Sequence, residues 1–127
     1  MGWRVPRAEE LITAMDDGIV VVDLLEHRVR YWSASAERIF GWTATEANDK
    51  PIQALLGVSP LSVVDVAAVL TALRSRGSLT TTGERTRKDG SRLWVENRYS
   101  LVHDEGGAEI GILGVVRDVT AAKLAAD

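Results

Sequence analysis

The 127 residues contain no cysteine. Disulfides, thiolate metal sites and cysteine nucleophiles are thereby excluded, and the absence agrees with a cytoplasmic location. Histidine is scarce as well. His27 and His103 are the two; both fall at expected turns or strand ends and read as solvated loop residues. No apolar run reaches the roughly 18 residues that a membrane span needs, so no membrane contact is expected within these residues. The arginines of Met1–Arg7 are followed by acidic residues rather than a long apolar stretch, which does not make a signal peptide. A basic surplus is also missing. Lys and Arg number 15 against 18 Asp and Glu, for a net charge of −3, so nucleic acid is not an expected partner. No serine sits in a nucleophile-elbow pattern. Gly106-Gly107 opens no helix, so it is a turn and not a phosphate loop. Glu37 has no second carboxylate or base spaced to work with it and reads as a structural residue near a helix start. Nothing assembles an active site, and an enzyme is not expected.

What remains is a chain of ordinary domain size with 46% hydrophobic and 26% charged residues, enough to bury a core without staples. Its strongest local signal is Asp89-Gly90, two residues suited to a tight primed hairpin turn. After it, Leu93, Val95, Asn97, Tyr99 and Leu101 alternate with Trp94, Glu96, Arg98, Ser100 and Val102, the period of a strand with two unlike faces. Leu79–Arg87 is the strand before it. Asp104–Gly107 turns the chain again into Ile110–Val119, completing an antiparallel meander. That last strand is apolar on both faces, with Ile112, Gly114 and Val116 on one and Leu113, Val115 and Val119 on the other. Both faces should therefore be covered.

Earlier in the chain, Pro6 to Met15 reads as a helix with Val5, Leu11, Ile12 and Met15 as an apolar stripe. Ile19–Leu24 and Arg28–Trp32 read as a hairpin, with Val29 and Tyr31 facing one way and Arg28, Arg30 and Trp32 the other. Ser33 looks like the N-cap of a short helix, Ala34–Phe40, ended by Gly41. Thr43 or Thr45 caps another turn through Ala47, and Pro51 begins Ile52–Leu56. Ser59-Pro60 opens the longest expected helix, Leu61–Arg76, with Leu61, Val64, Ala68 and Thr71 or Ala72 on one face. Helices bunched between two blocks of strands indicate an α+β fold with the helices on one face of an antiparallel sheet.

Three stretches resemble the PAS sensory domains, over about Leu11 to Lys123. Met15–Asp23 looks like the family's first strand and the approach to it. Tyr31–Trp42 looks like the second strand running into a short helix, with Ser33 where Asn is common. Arg87–Ser91 together with Val116–Thr120 looks like the sheet hairpin and the terminal strand with its exit motif. The resemblance implies a PAS-like five-stranded antiparallel sheet with short helices and one long helix on its concave face. It also implies a non-enzymatic sensory role in signal transduction. A ligand or cofactor would sit in the cavity, a homodimer would form, and a kinase, cyclase or transcription module would receive the signal. Residues 1–16 would then be an N-terminal amphipathic helix, 17–120 the sensor domain and 121–127 the start of a linker helix, in a chain either excised or stand-alone.

Val20, Val22, Tyr31, Ile39, Leu61, Val64, Ala68, Val95, Asn97 and Val116 are the candidate cavity lining. Asn97 stands out as an amide on an apolar face, needing a partner if buried. Haem-binding members of the family carry a histidine on the long helix, and Leu61–Arg76 has none, which argues against that ligation. Cysteinyl-flavin photochemistry is excluded by the missing thiol; non-covalent flavin is not, and the cofactor stays unknown. Leu11, Ile12, Met15, Trp94, Leu113 and Val115 are the interface candidates. They also define the alternative, a ligand-free dimerisation module.

Overall fold

The computed structural model describes residues 2–57 and 65–126. Five strands, β1 (Gly18–Asp23), β2 (Val29–Trp32), β3 (Leu79–Thr86), β4 (Arg92–His103) and β5 (Glu109–Asp118), make one sheet in the order β2-β1-β5-β4-β3. Every neighbouring pair is antiparallel. The chain leaves β2 at one edge and resumes at β3 on the other, about 19 Å away at ordinary strand spacing. Between them come α2 (Ala34–Phe40), α3 (Ala44–Ala47), α4 (Ile52–Leu56) and α5 (Val66–Arg76). Crossing the sheet, these helices lay their apolar sides over one face and produce an α+β domain with a single core. From the sheet, Val20, Val22, Val29, Trp32, Leu93, Val95, Ile112 and Val116 enter it. From the helices come Phe40, Leu55, Leu56, Val66 and Leu73.

Local chemistry explains the short helices. The Ser33 hydroxyl oxygen accepts from the Ala36 N–H at the start of α2 and from the Ile19 N–H of β1, so one buried atom caps a helix and ties it to the sheet. Thr43 and Glu46 form a reciprocal capping box on α3. Glu37 accepts the Ala44 N–H and joins α2 to α3. α1 (Ala8–Ala14) precedes the sheet and buries none of its residues, and α6 (Thr120–Ala126) follows it. Among the described residues no helix is long and apolar enough to cross a membrane.

Four expectations need correction. In β2 the partners are Val22 with Val29, Val21 with Tyr31 and Val20 with Trp32, so Arg30 is an extra residue in a bulge. The bulge changes the alternation: Val29 and Trp32 both face the core, and Tyr31 turns to the outer face with Val21. The Asp89-Gly90 hairpin has a three-residue loop rather than a two-residue primed turn. Arg87 N–H donates to the Ser91 carbonyl and Gly90 N–H to the Arg87 carbonyl, with positive φ at Gly90 alone of the loop. Asp104 and Ala108 close the second hairpin in the same way, with Gly107 at φ 89°. The long helix begins at Val66, where the Asp65 carboxylate accepts the Ala68 N–H as N-cap. Its inward stripe is Val66, Val69, Leu70 and Leu73, at helical spacing, while Ala68 and Thr71 are exposed. Ser59, Pro60, Leu61 and Val64 lie outside the described residues. Finally, α1 starts two residues beyond Pro6, with no side-chain cap.

Candidate functional site

The helix-covered face of the sheet is built from alternate residues of each strand, because directly opposed antiparallel residues share a face. Val20 and Val22 of β1, Ile112 and Val116 of β5, and Leu93, Val95 and Asn97 of β4 stand on it, all buried. Asn97 is flanked by Val116 on one side and Thr81 on the other. The residue is 4% exposed, and its Nδ2 has no hydrogen-bond partner among the described residues. A buried amide donor left unpaired is unfavourable by about 1–3 kcal/mol, so this atom is conspicuous on an otherwise apolar wall.

Of the remaining lining candidates, Ile39 packs half-buried against the core from α2. Tyr31 is on the opposite face and Ala68 is exposed on α5. Leu61 and Val64 fall outside the described residues.

Arg85 was missed by sequence reasoning. It is directly opposed to Leu93, which puts it on the inner face of β3, an edge strand. Its guanidinium folds back along the strand. Nη1 donates to the Glu84 carbonyl at 2.7 Å and lies 3.2 Å from where a Cβ on Gly83 would stand. Its side chain pairs with no carboxylate among the described residues. The signal that could have found it is period two along β3, which places Leu79, Thr81, Gly83 and Arg85 on one side.

The other side of the sheet is less covered. Leu113 and Val115 are half-buried, as is Trp94 further along, and Ile19 opposite Val115 is buried. A groove there is lined by Met15, Asp17, Thr80, Arg98, Ser100 and Val115. On α1 Leu11 is 53% exposed and Ile12 half-buried, and Met15, its C-cap, is 37% exposed. Trp94 is held by the far end of the chain: its backbone N–H donates to the Thr120 hydroxyl, and the Lys123 ammonium lies 4.9 Å from its ring centre.

Two ion pairs join these parts. Arg117 reaches Asp17 across 100 residues of sequence, and Arg87 reaches Asp118. Burial works to raise the Asp118 carboxyl, but hydrogen bonds from the Thr120 hydroxyl and N–H, with Arg87 beside it, outweigh burial and hold it below the ordinary carboxylate value. Among the described residues no group of three or more His, Cys, Asp or Glu is placed to hold a metal.

The profile of the PAS fold family matches residues 7–119. No curated protein matches the chain. Solved structures do. The PAS domain of a protein from Colwellia psychrerythraea superposes with a TM-score of 0.73 at 23% identity, covering 88% of this chain and 93% of that one. The PAS domain of nitrogen regulation protein NR(II) from Vibrio parahaemolyticus gives 0.72 at 19% identity, covering 90% and 99%. An RNA-binding light-oxygen-voltage receptor gives 0.74 at 21% identity, covering 96% of this chain and 38% of that one. With the bulged β1–β2 hairpin, the helical crossing and the closing meander all accounted for, the chain belongs to the PAS fold family of sensory and signalling modules.

Proposed function

We propose that this PAS domain is a sensory module that holds a small molecule between the inner sheet face and its helices. Occupancy would be relayed through the outer sheet face and the terminal helices to an attached effector such as a kinase, cyclase or transcription module. The observation that carries this reading is Asn97, a buried amide whose Nδ2 lacks a partner on a wall of valine and leucine. A group that is expensive to leave unpaired, standing where a ligand would touch it, is best explained by a ligand. In this reading residues 1–16 form a docking helix, 17–120 the sensor and 121–127 the start of the output helix, in a cytoplasmic homodimer without catalytic activity of its own. Native mass spectrometry of gently purified protein tests it. A bound small molecule, or one acquired from a metabolite and cofactor screen, is the expected outcome; a domain that stays empty throughout defeats it.

A second reading, a ligand-free dimerisation module, is favoured by one observation: Leu11 and Met15 are exposed beside a half-covered apolar sheet face. Removing the residues before Asp17 and measuring mass by light scattering tests it, and the ligand screen above separates it from the first reading. This reading expects a dimer that falls to monomer on truncation. A monomer before and after removes it.

A further inference from the structure

We infer that the ligand taken up at the inner face of the sheet carries a carboxylate, bound by the Arg85 guanidinium, with Asn97 donating a hydrogen bond alongside. The inference rests on the sensory reading above and narrows it to a class of ligand.

Two donors face the same side of adjoining strands. Asn97 Nδ2 is buried and unpartnered. Arg85 is half-buried; among the described residues its side chain donates to one backbone carbonyl and pairs with no carboxylate. A guanidinium offers five N–H donors in a planar fork, so most of its capacity is unspent. The sheet register brings them close. The guanidinium lies over Gly83, which is opposed to Val95; Thr81, the next inward residue of β3, is opposed to Asn97. Residues on this diagonal, Gly83 and Asn97, stand about 7–8 Å apart across the two strands, a span one small organic acid can bridge.

Gly83 supplies the cradle. A side chain there would place its Cβ 3.2 Å from Arg85 Nη1 and displace the guanidinium by a few tenths of an ångström. Both groups are donors, and neither is an acceptor in the role described. The complementary ligand is therefore an acceptor-rich anion. The apolar remainder of the wall (Val20, Val95, Val116) asks for a hydrocarbon body. A planar carboxylate matches the fork of arginine with two parallel hydrogen bonds.

Matched pairs of acid and primary amide test this on the full chain: hexanoate against hexanamide and benzoate against benzamide, by calorimetric titration and thermal shift. At least one acid is expected to bind and raise the melting temperature, with its amide about tenfold weaker or more. Arg85→Gln should lower affinity for the acid by about tenfold or more and leave the amide unchanged, and Arg85→Lys should keep part of the preference. Should Arg85→Gln fail to fold, Gly83→Ala serves instead and should weaken acid binding alone. Acid and amide binding alike, or acid binding that ignores Arg85, overturns the inference. So does the failure of every acid and amide to bind. In that last case native mass spectrometry of the same preparation separates the two proposals: a neutral molecule carried through purification preserves the sensory reading, and an empty protein removes both.

Discussion

Single atoms decide more in this domain than the size of its core suggests. Asn97 Nδ2 sits unpaired on an apolar wall, so in the empty protein the amide is a liability. Asn97→Leu should raise the unfolding free energy of ligand-free protein by about 1 kcal/mol, read from urea denaturation, because the orphaned donor is replaced by a side chain the wall can pack. The same variant should lose the ligand-induced rise in melting temperature. Gain of stability with loss of response is the signature of a binding residue; a loss of stability would mean that the amide is satisfied in the native state. Ser33 is the opposite case. One hydroxyl oxygen accepts from both Ala36 and Ile19 in a buried setting. Ser33→Ala should therefore lose about 2–3 kcal/mol, a helix cap together with a stranded strand donor. Thr43→Ala, in an exposed capping box, should lose about 1 kcal/mol. Equal losses in the two variants would show that the bond to β1 adds nothing.

Elements differ in how firmly they are attached, and α6 is held at one end by a titrating knot. Asp118 accepts from Thr120, Thr120 accepts from Trp94, and Lys123 covers the Trp94 ring. The Asp118 carboxyl is lower in the fold than in the unfolded chain. Its contribution is thus complete above the ordinary aspartate value of about 3.9 and is lost as pH falls through the depressed one. The Trp94 backbone amide resonance should hold its position from neutral pH down to that range and shift only below it. Thr120→Val should displace the resonance at neutral pH. A Trp94 signal that moves near neutrality instead would remove Asp118 from the account. Legibility in the sequence also divides by element. Ser33, Gly41 and the Ile52–Leu56 turn were readable because caps and breakers act within a few residues. Trp32 and Tyr31 were assigned to the wrong faces because a bulge at Arg30 shifts the alternation, and it follows from strand pairing rather than from neighbours in sequence. In α5 the Ser59-Pro60 pair obscured Asp65, an equally good cap, and the stripe Val66, Val69, Leu70 and Leu73 went with it. Arg85 escaped notice because an isolated arginine in a threonine-rich strand looks like solvent-facing charge until its register is known.

At the scale of the whole molecule, topology places the beginning of β1 against the end of β5, Gly18 opposite Val116, with Asp17 and Arg117 paired just beyond. In a chain without cysteine, Asp17→Cys with Arg117→Cys should form a single clean disulfide. Closing a loop of 100 residues should stabilise the oxidised form over the reduced by about 4–5 kcal/mol in urea denaturation. Failure to oxidise would contradict the neighbouring placement of the two strand ends.

That corner has a wider consequence. A fold that receives its chain and hands it back at the same corner behaves like a bead on a hairpin: α1 and α6 are joined to the sheet at neighbouring points. Sliding β1 along β5 by even a fraction of the roughly 3.4 Å rise per residue would offset the points where those segments attach by the same amount. A disturbance too slight to alter the core would then move the attachment of α1 relative to that of α6.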